Sequence, residues 1–272
     1  MSLVSTEWLD KNHSKVKIID SSWHMPNANR NAYEEYKKEH IKNAIFFDID
    51  KFSNKKTELP HMLPDEKEWE KIVSNLGITN EERIIVYDNS DVLSSCRCWY
   101  TFIFFGHKPN LISILNGGLS KWKKENRETT DKTSNHEKKN YKAKKISQLV
   151  KTKEEIDKNI SEKKFQVVDA RSKNRFLGLE KEPRPGVRSG SIKNSYCLPF
   201  GELINPEDKT FLEKNLIKEK FAKIGINNEN NVVFSCGSGI TAAVLSLAYS
   251  MINDKYLPTI YDGSWAEYGL TK

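Results

Sequence analysis

Cysteine is scarce in this chain, with 4 in 272 residues. That is too few for a disulfide framework at this length, and it points to a reducing compartment. No apolar run approaches the ~20 residues that a membrane-spanning helix needs. The first twenty residues, MSLVSTEWLDKNHSKVKIID, lack the apolar core of a secretory signal and are not Arg-rich. The expectation is a cytoplasmic protein, with a mitochondrial pool left open and no membrane partner. Zinc-finger spacing and basic motifs interleaved with aromatics are also missing, and the lysines are scattered. Nucleic acid is therefore not an expected partner despite a net charge of +7. A field of that sign favours small anions or acidic proteins. Cys96 and Cys98 stand two apart on a helical stretch and so face different directions, with no second pair at metal-ligand spacing. No metal or cofactor is expected.

What the chain does hold is core material. Apolar residues make up 37% and charged residues 30%, with 6 Trp, 10 Tyr and 12 Phe, a globular composition long enough for two domains. Strand-like runs at 16–20, 83–88, 111–117, 165–170, 231–236 and 258–263 are continuous and β-branched, as in strands buried on both faces of a parallel sheet. Helical patterns at 66–77, 94–106, 151–164 and 241–252 lie between them. The alternation predicts an α/β fold.

The two halves repeat each other. KVKIIDSSW pairs with FQVVDARSK, ERIIVYDNS with NNVVFSCGSG, and ISILNGGLSKW with PTIYDGSWAEY. The predicted division is a first domain over 1–124, a polar linker over 125–145 and a second domain over 146–272. At one equivalent position the halves differ in chemistry. The second has Cys236 after its strand, where the first has Asp88. Only the second half then carries a nucleophile, and the first is expected to be catalytically inactive.

Cys236 ends a strand and faces Gly237, Ser238 and Gly239 before a helix start at Ile240 and Thr241. Glycines there permit backbone conformations closed to other residues. Amide N–H groups from Gly237 to Thr241 can turn inward as an anion-binding nest, reinforced by the helix N-terminus. A cysteine in that cup is expected to have a lowered pKa and to be a nucleophile. A buried structural cysteine beside a tight turn is the alternative on local sequence alone.

CGSGITA resembles the active-site loop of the rhodanese-type sulfurtransferases, in the form found among mercaptopyruvate sulfurtransferases. The similarity runs from DSSW (20–23) to YDGSWAEY (261–268). It implies two tandem rhodanese-like domains, each a central, mostly parallel sheet flanked by helices. It also implies attack by Cys236 on the sulfur of 3-mercaptopyruvate, with release of pyruvate. A Cys236 persulfide would then pass its sulfur to a thiol acceptor such as thioredoxin, to a small thiol or to cyanide, as part of cysteine catabolism. In ARSKNRFLGLEKEPRPG (170–186) the resemblance assigns Arg175 and Arg184 to the substrate. Planar, permanently charged guanidinium groups suit an α-keto acid. It further groups Ser238 with His61 and Asp50 as a relay, and a monomer is expected. Arg171 is read as structural.

The remaining histidines and cysteines, including Cys197, are expected to serve packing or to be exposed. Trp265 is read as a wall of the site or as core. The family's Gly-His-Ile-Pro-Gly appears here as EHIKNA (39–44) and, without its histidine, as SGSIKNS (189–195). Three other readings stand beside the first. Thiosulfate is a second sulfur donor, although the uncharged Gly237 and Ser238 argue against a small dianion. A Cys phosphatase would need Cys-x5-Arg, and Ala242 stands at that arginine's place. A non-catalytic sulfur carrier is the third.

Overall fold

A computed structural model describes residues 2–227 and 229–271. The chain forms two compact units. The first holds the chain up to Asn54, then Leu63–Ile146 and Pro206–Thr210. The second holds Lys55–Met62, Ser147–Asn205 and the chain from Phe211 onward.

The first unit is built on five parallel strands: β1 (Leu3–Val4), β2 (Lys17–Asp20), β3 (Ala44–Phe46), β4 (Ile84–Tyr87) and β5 (Ile112–Leu115). Their order across the sheet is β1-β5-β4-β2-β3. Each central strand is buried along nearly its whole length, which is why its sequence reads as an unbroken apolar run. Ile18, Ile85 and Tyr87 pack on one face with Leu9, Leu119 and Trp122. The helices Glu66–Asn75 and Ser95–Phe104 supply a second aromatic cluster, in which Trp69 meets Phe102 edge-on and stacks on Phe105. Asp65 caps the first of these helices by accepting the Glu68 N–H, a contact that contributes about 1 kcal/mol.

The second unit repeats the plan with β6 (Val150–Lys151), β7 (Gln166–Asp169), β8 (Tyr196–Cys197), β9 (Val232–Ser235) and β10 (Ile260–Tyr261). Its order, β8-β7-β9-β10-β6, is the same order counted from the other edge, and every pairing is parallel. Neighbours on β9 face opposite ways. Val233 packs with Ile156, Val167, Tyr261 and Trp265, whereas Phe234 packs with Phe221, Tyr249 and Tyr256. The helix Lys153–Glu162 opens with a capping box between Thr152 and Glu155. The helix Ile240–Ile252 is buried along almost its full length, matching a sequence with no charged residue.

The stretch 125–145, expected as a linker, lies within the first unit. Thr129–Thr130 pairs antiparallel with His40–Ile41, Lys144 and Ile146 donate to the carbonyls of Phe105 and Phe104, and Tyr141 is buried. Among the described residues, no helix is long and apolar enough to cross a membrane.

Candidate active site around Cys236

The first contributor to the site is the end of β9. Cys236 follows Ser235, and its backbone is tied on both sides. Its N–H donates to Ser264 Oγ at 3.2 Å, and its carbonyl accepts from Trp265 N–H at 2.9 Å. Gly237 O accepts from Ala266 N–H at 2.9 Å. The loop is thus sewn to the short helix Ser264–Tyr268. Ser264 takes a left-handed backbone with φ 49°, and its hydroxyl donates onward to Tyr261 O.

The chain then turns back over the sulfur. Gly239 has φ 80°, a region that costs an L-residue roughly 1–2 kcal/mol, so glycine belongs there. The turn aims two amide N–H groups at Cys236 Sγ, from Gly239 at 3.1 Å and from Ser238 at 3.4 Å. Ile240 and Thr241 begin the helix behind them. Cys236 is buried, but its sulfur has polar neighbours rather than a hydrocarbon shell alone.

The two expected arginines converge on the same loop. A Cβ placed on Gly237 would stand 3.2 Å from Arg175 Nη2 and 3.6 Å from Arg184 Nη1. Arg184 Nη2 also donates to Ser238 Oγ at 3.3 Å. His61 belongs to this unit as well, and its Nδ1 lies 2.9 Å from Ser238 Oγ. An arginine can only donate, so Ser238 accepts from Arg184 and can give its own proton toward the imidazole. Asp50 is in the first unit, where its Oδ2 accepts from Trp23 Nε1 at 2.9 Å. Its neighbour Asp48 caps the helix Ile49–Phe52 through the Lys51 N–H.

Arg171, read as structural, and Glu182, which the sequence did not single out, meet beside this loop. Arg171 and Arg188 lie over Trp265, at 4.6 and 4.5 Å from the ring centroid. Arg171 also pairs with Asp169, donates to Gly190 O, and reaches Glu182. Glu182 in turn accepts from Arg175. The only sequence signal for Glu182 was its place among three arginines.

In the first unit the equivalent loop carries its own anion. Asp88 Oδ1 accepts the Ser90 N–H at 2.9 Å, and Oδ2 accepts the Ser95 N–H at 2.8 Å. Burial pushes its carboxyl up from the usual range. At Cys96 and Cys98 burial outweighs the neighbouring hydrogen bonds. Burial drives the Cys96 and Cys98 thiols well upward, and it pushes Cys197 up to about 11.

The sequence and the fold have counterparts among known proteins. The rhodanese-like domain family matches residues 5–125 and again 152–270. The chain belongs to the rhodanese-domain sulfurtransferase family. It is 35% identical to thiosulfate/3-mercaptopyruvate sulfurtransferase 1, mitochondrial, of Arabidopsis thaliana, over 98% of this chain and 75% of the relative. It is 34% identical to the 3-mercaptopyruvate sulfurtransferase of Mus musculus and 34% identical to the thiosulfate sulfurtransferase of Rattus norvegicus, each over 98% of this chain and 91% of the relative. Among solved structures, SseA of Escherichia coli, from work on 3-mercaptopyruvate sulfotransferases, superposes with a TM-score of 0.87 at 28% identity, covering 97% of this chain and 99% of its own. Within this sulfurtransferase, the first half's family histidine, His40, is buried with Nδ1 on Tyr36 O and its ring stacked on Tyr36. The second half lacks it, and Ser191 stands in its place.

Proposed function

We propose that this chain is a 3-mercaptopyruvate sulfurtransferase. Cys236 attacks in its thiolate form on the substrate sulfur. A sulfur–sulfur bond forms, the carbon–sulfur bond breaks, and its electron pair leaves with pyruvate as the enolate. The enolate takes one proton to become pyruvate, and the persulfide stays on Cys236. A thiolate acceptor, from thioredoxin or a small thiol, then attacks the outer sulfur and regenerates the Cys236 thiolate; cyanide would leave as thiocyanate. This is covalent catalysis in two easier steps.

The observation that carries this reading is the convergence of Arg175 and Arg184 on Gly237, beside a sulfur that accepts two amide N–H bonds. Two guanidinium groups suit the carboxylate and carbonyl oxygens of an α-keto acid and the charge that develops on its enolate. The amides of Gly237, Ser238, Gly239, Ile240 and Thr241 are proposed to cradle the anionic sulfur. Ser238 and His61 are proposed to carry the proton that the enolate needs, and Asp50 keeps the supporting role that the resemblance implies. Four free cysteines fit a reducing compartment, and we place the protein in the cytoplasm as a monomer acting in cysteine catabolism.

Thiosulfate is the competing donor, since relatives named for each activity are equally similar. Uncharged Gly237 and Ser238 favour the keto acid. The test is turnover with each donor and a common thiol acceptor, following pyruvate and transferred sulfur. The reading expects kcat/KM for mercaptopyruvate well above that for thiosulfate. The reverse order would assign the chain to thiosulfate.

A further inference from the structure

We infer that Glu182 is a positioning residue for the substrate arginine Arg175. The inference rests on the proposed role of Arg175 and adds what sets that side chain in place.

Glu182 sits on the loop that carries Arg184, yet its side chain is only 3% exposed. A carboxylate stripped of water needs cations close by. Here Oε1 accepts from Arg171 Nη1 at 2.7 Å and from Arg175 Nε at 3.1 Å, while Oε2 accepts from Arg175 Nη2 at 2.5 Å. Arg171 is fixed from behind, with Nε and Nη2 on Asp169 and Nη2 also on Gly190 O. Its face lies on Trp265, whose backbone N–H holds Cys236 O. The charges therefore alternate, Asp169, Arg171, Glu182, Arg175, from the end of β7 to the rim of the Cys236 loop.

The geometry gives Glu182 one specific task. Its two oxygens take the Nε and Nη2 edge of Arg175, the paired edge that a guanidinium offers to a carboxylate. That fixes the plane of the group, leaves Nη1 unclaimed by Glu182, and holds Nη2 beside Gly237. Arg175 Nη2 is the nearest atom to a Cβ built on Gly237. An arginine side chain carries several rotatable bonds, and one held in its bound geometry loses less entropy when substrate arrives. A neutral amide at position 182 would keep the shape but would release Arg175 from that plane.

The test uses the whole chain and reads binding apart from chemistry. Cys236 is alkylated with iodoacetamide, its modification followed by mass spectrometry, and pyruvate is titrated in as a protecting ligand. Glu182→Gln is expected to raise the pyruvate concentration for half-protection about tenfold and KM for mercaptopyruvate similarly. The alkylation rate without pyruvate should stay within about twofold of wild type. In an Arg175→Gln background the same substitution should change protection less than twofold, because its target is already gone. Should Glu182→Gln not accumulate as folded protein, Glu182→Asp carries the test, since it keeps the charge but shortens the reach. A purely structural role would lower the melting temperature and leave protection and KM unchanged, or would give the same effect with and without Arg175; either result overturns the inference. If Arg175→Gln itself leaves protection and KM unchanged, the reading of Arg175 as a substrate group fails first. If only the Glu182 variants are silent, that reading stands and this one falls.

Discussion

Gly239 donates its backbone N–H to Cys236 Sγ across 3.1 Å, from a residue whose φ of 80° only glycine adopts without strain. The contact ties a backbone conformation to the sulfur of Cys236. Gly239→Ala should therefore damage chemistry and stability together. The expected loss is roughly 1–2 kcal/mol in stability and tenfold or more in turnover. Chemical denaturation and pyruvate release measure the two, and an unchanged turnover would detach the turn from the reaction.

Gly237 differs in kind, because its backbone is ordinary and its space is not. A Cβ there meets two guanidinium groups at 3.2 and 3.6 Å. Gly237→Ala should fold normally and raise KM for mercaptopyruvate about five- to tenfold, which corresponds to roughly 1–1.4 kcal/mol. Steady-state kinetics beside a melting curve would show whether the arginines are displaced without harm to the fold.

Cys236→Ser should abolish sulfur transfer, whereas Cys96→Ser and Cys98→Ser should retain it. Iodoacetamide should modify Cys236 in the folded chain and reach Cys96 and Cys98 only on unfolding, since burial holds those two thiols protonated. Peptide mapping after alkylation checks the order, and early labelling of Cys96 would contradict it.

Ser238 Oγ meets both His61 Nδ1 and Arg184 Nη2. His61→Gln should lower turnover with mercaptopyruvate by about 10²–10⁴, the usual worth of a positioned proton carrier. Asp50→Asn should act in the same direction. The comparison to make is pyruvate release with the two variants against Cys236 alkylation, which neither should slow.

The first unit holds a pH-dependent element of its own. Burial raises Asp20 from an ordinary 3.8 to about 6, against hydrogen bonds from Ser22 that favour the anion. Its protonated form is therefore the one the fold prefers. The stabilisation is fully present below pH 3.8 and is lost as pH rises through about 6. Asp20→Asn removes that loss, so the variant should gain on wild type between pH 4 and 7 by up to about 3 kcal/mol. Urea midpoints of both proteins across that range test the sign. At the equivalent place in the second unit Asp169 is paired with Arg171, where the first unit has only Ser22.

Much of this architecture could be read from the chain. The central strands were legible because burial on both faces demands unbroken apolar runs such as Ile84–Tyr87 and Val232–Ser235. The edge strands Leu3–Val4, Val150–Lys151 and Tyr196–Cys197 were not, since two residues carry no periodicity. The stretch 125–145 looked like a linker because what holds it is mostly backbone. Its N–H groups bond to Ser74 and Phe105, and one ring, Tyr141, is buried. At the site, Cys236 and its glycines formed a local signal. His61 and Ser238 are 177 residues apart, and only the family resemblance linked them. Glu182 was illegible because a glutamate between exposed residues is ordinarily solvated; only the fold closes Arg171 and Arg175 around it.

The carboxylate of Asp88 has a consequence for counting. Where the second half has Cys236, the proposed carrier of a travelling sulfur, the first has the Asp88 carboxylate, a group that can never depart. On the proposed reaction the duplication gives the molecule two cradles and a single cargo. Intact-mass measurement after incubation with donor should find one added sulfur per chain, and it should find none once Cys236 is replaced.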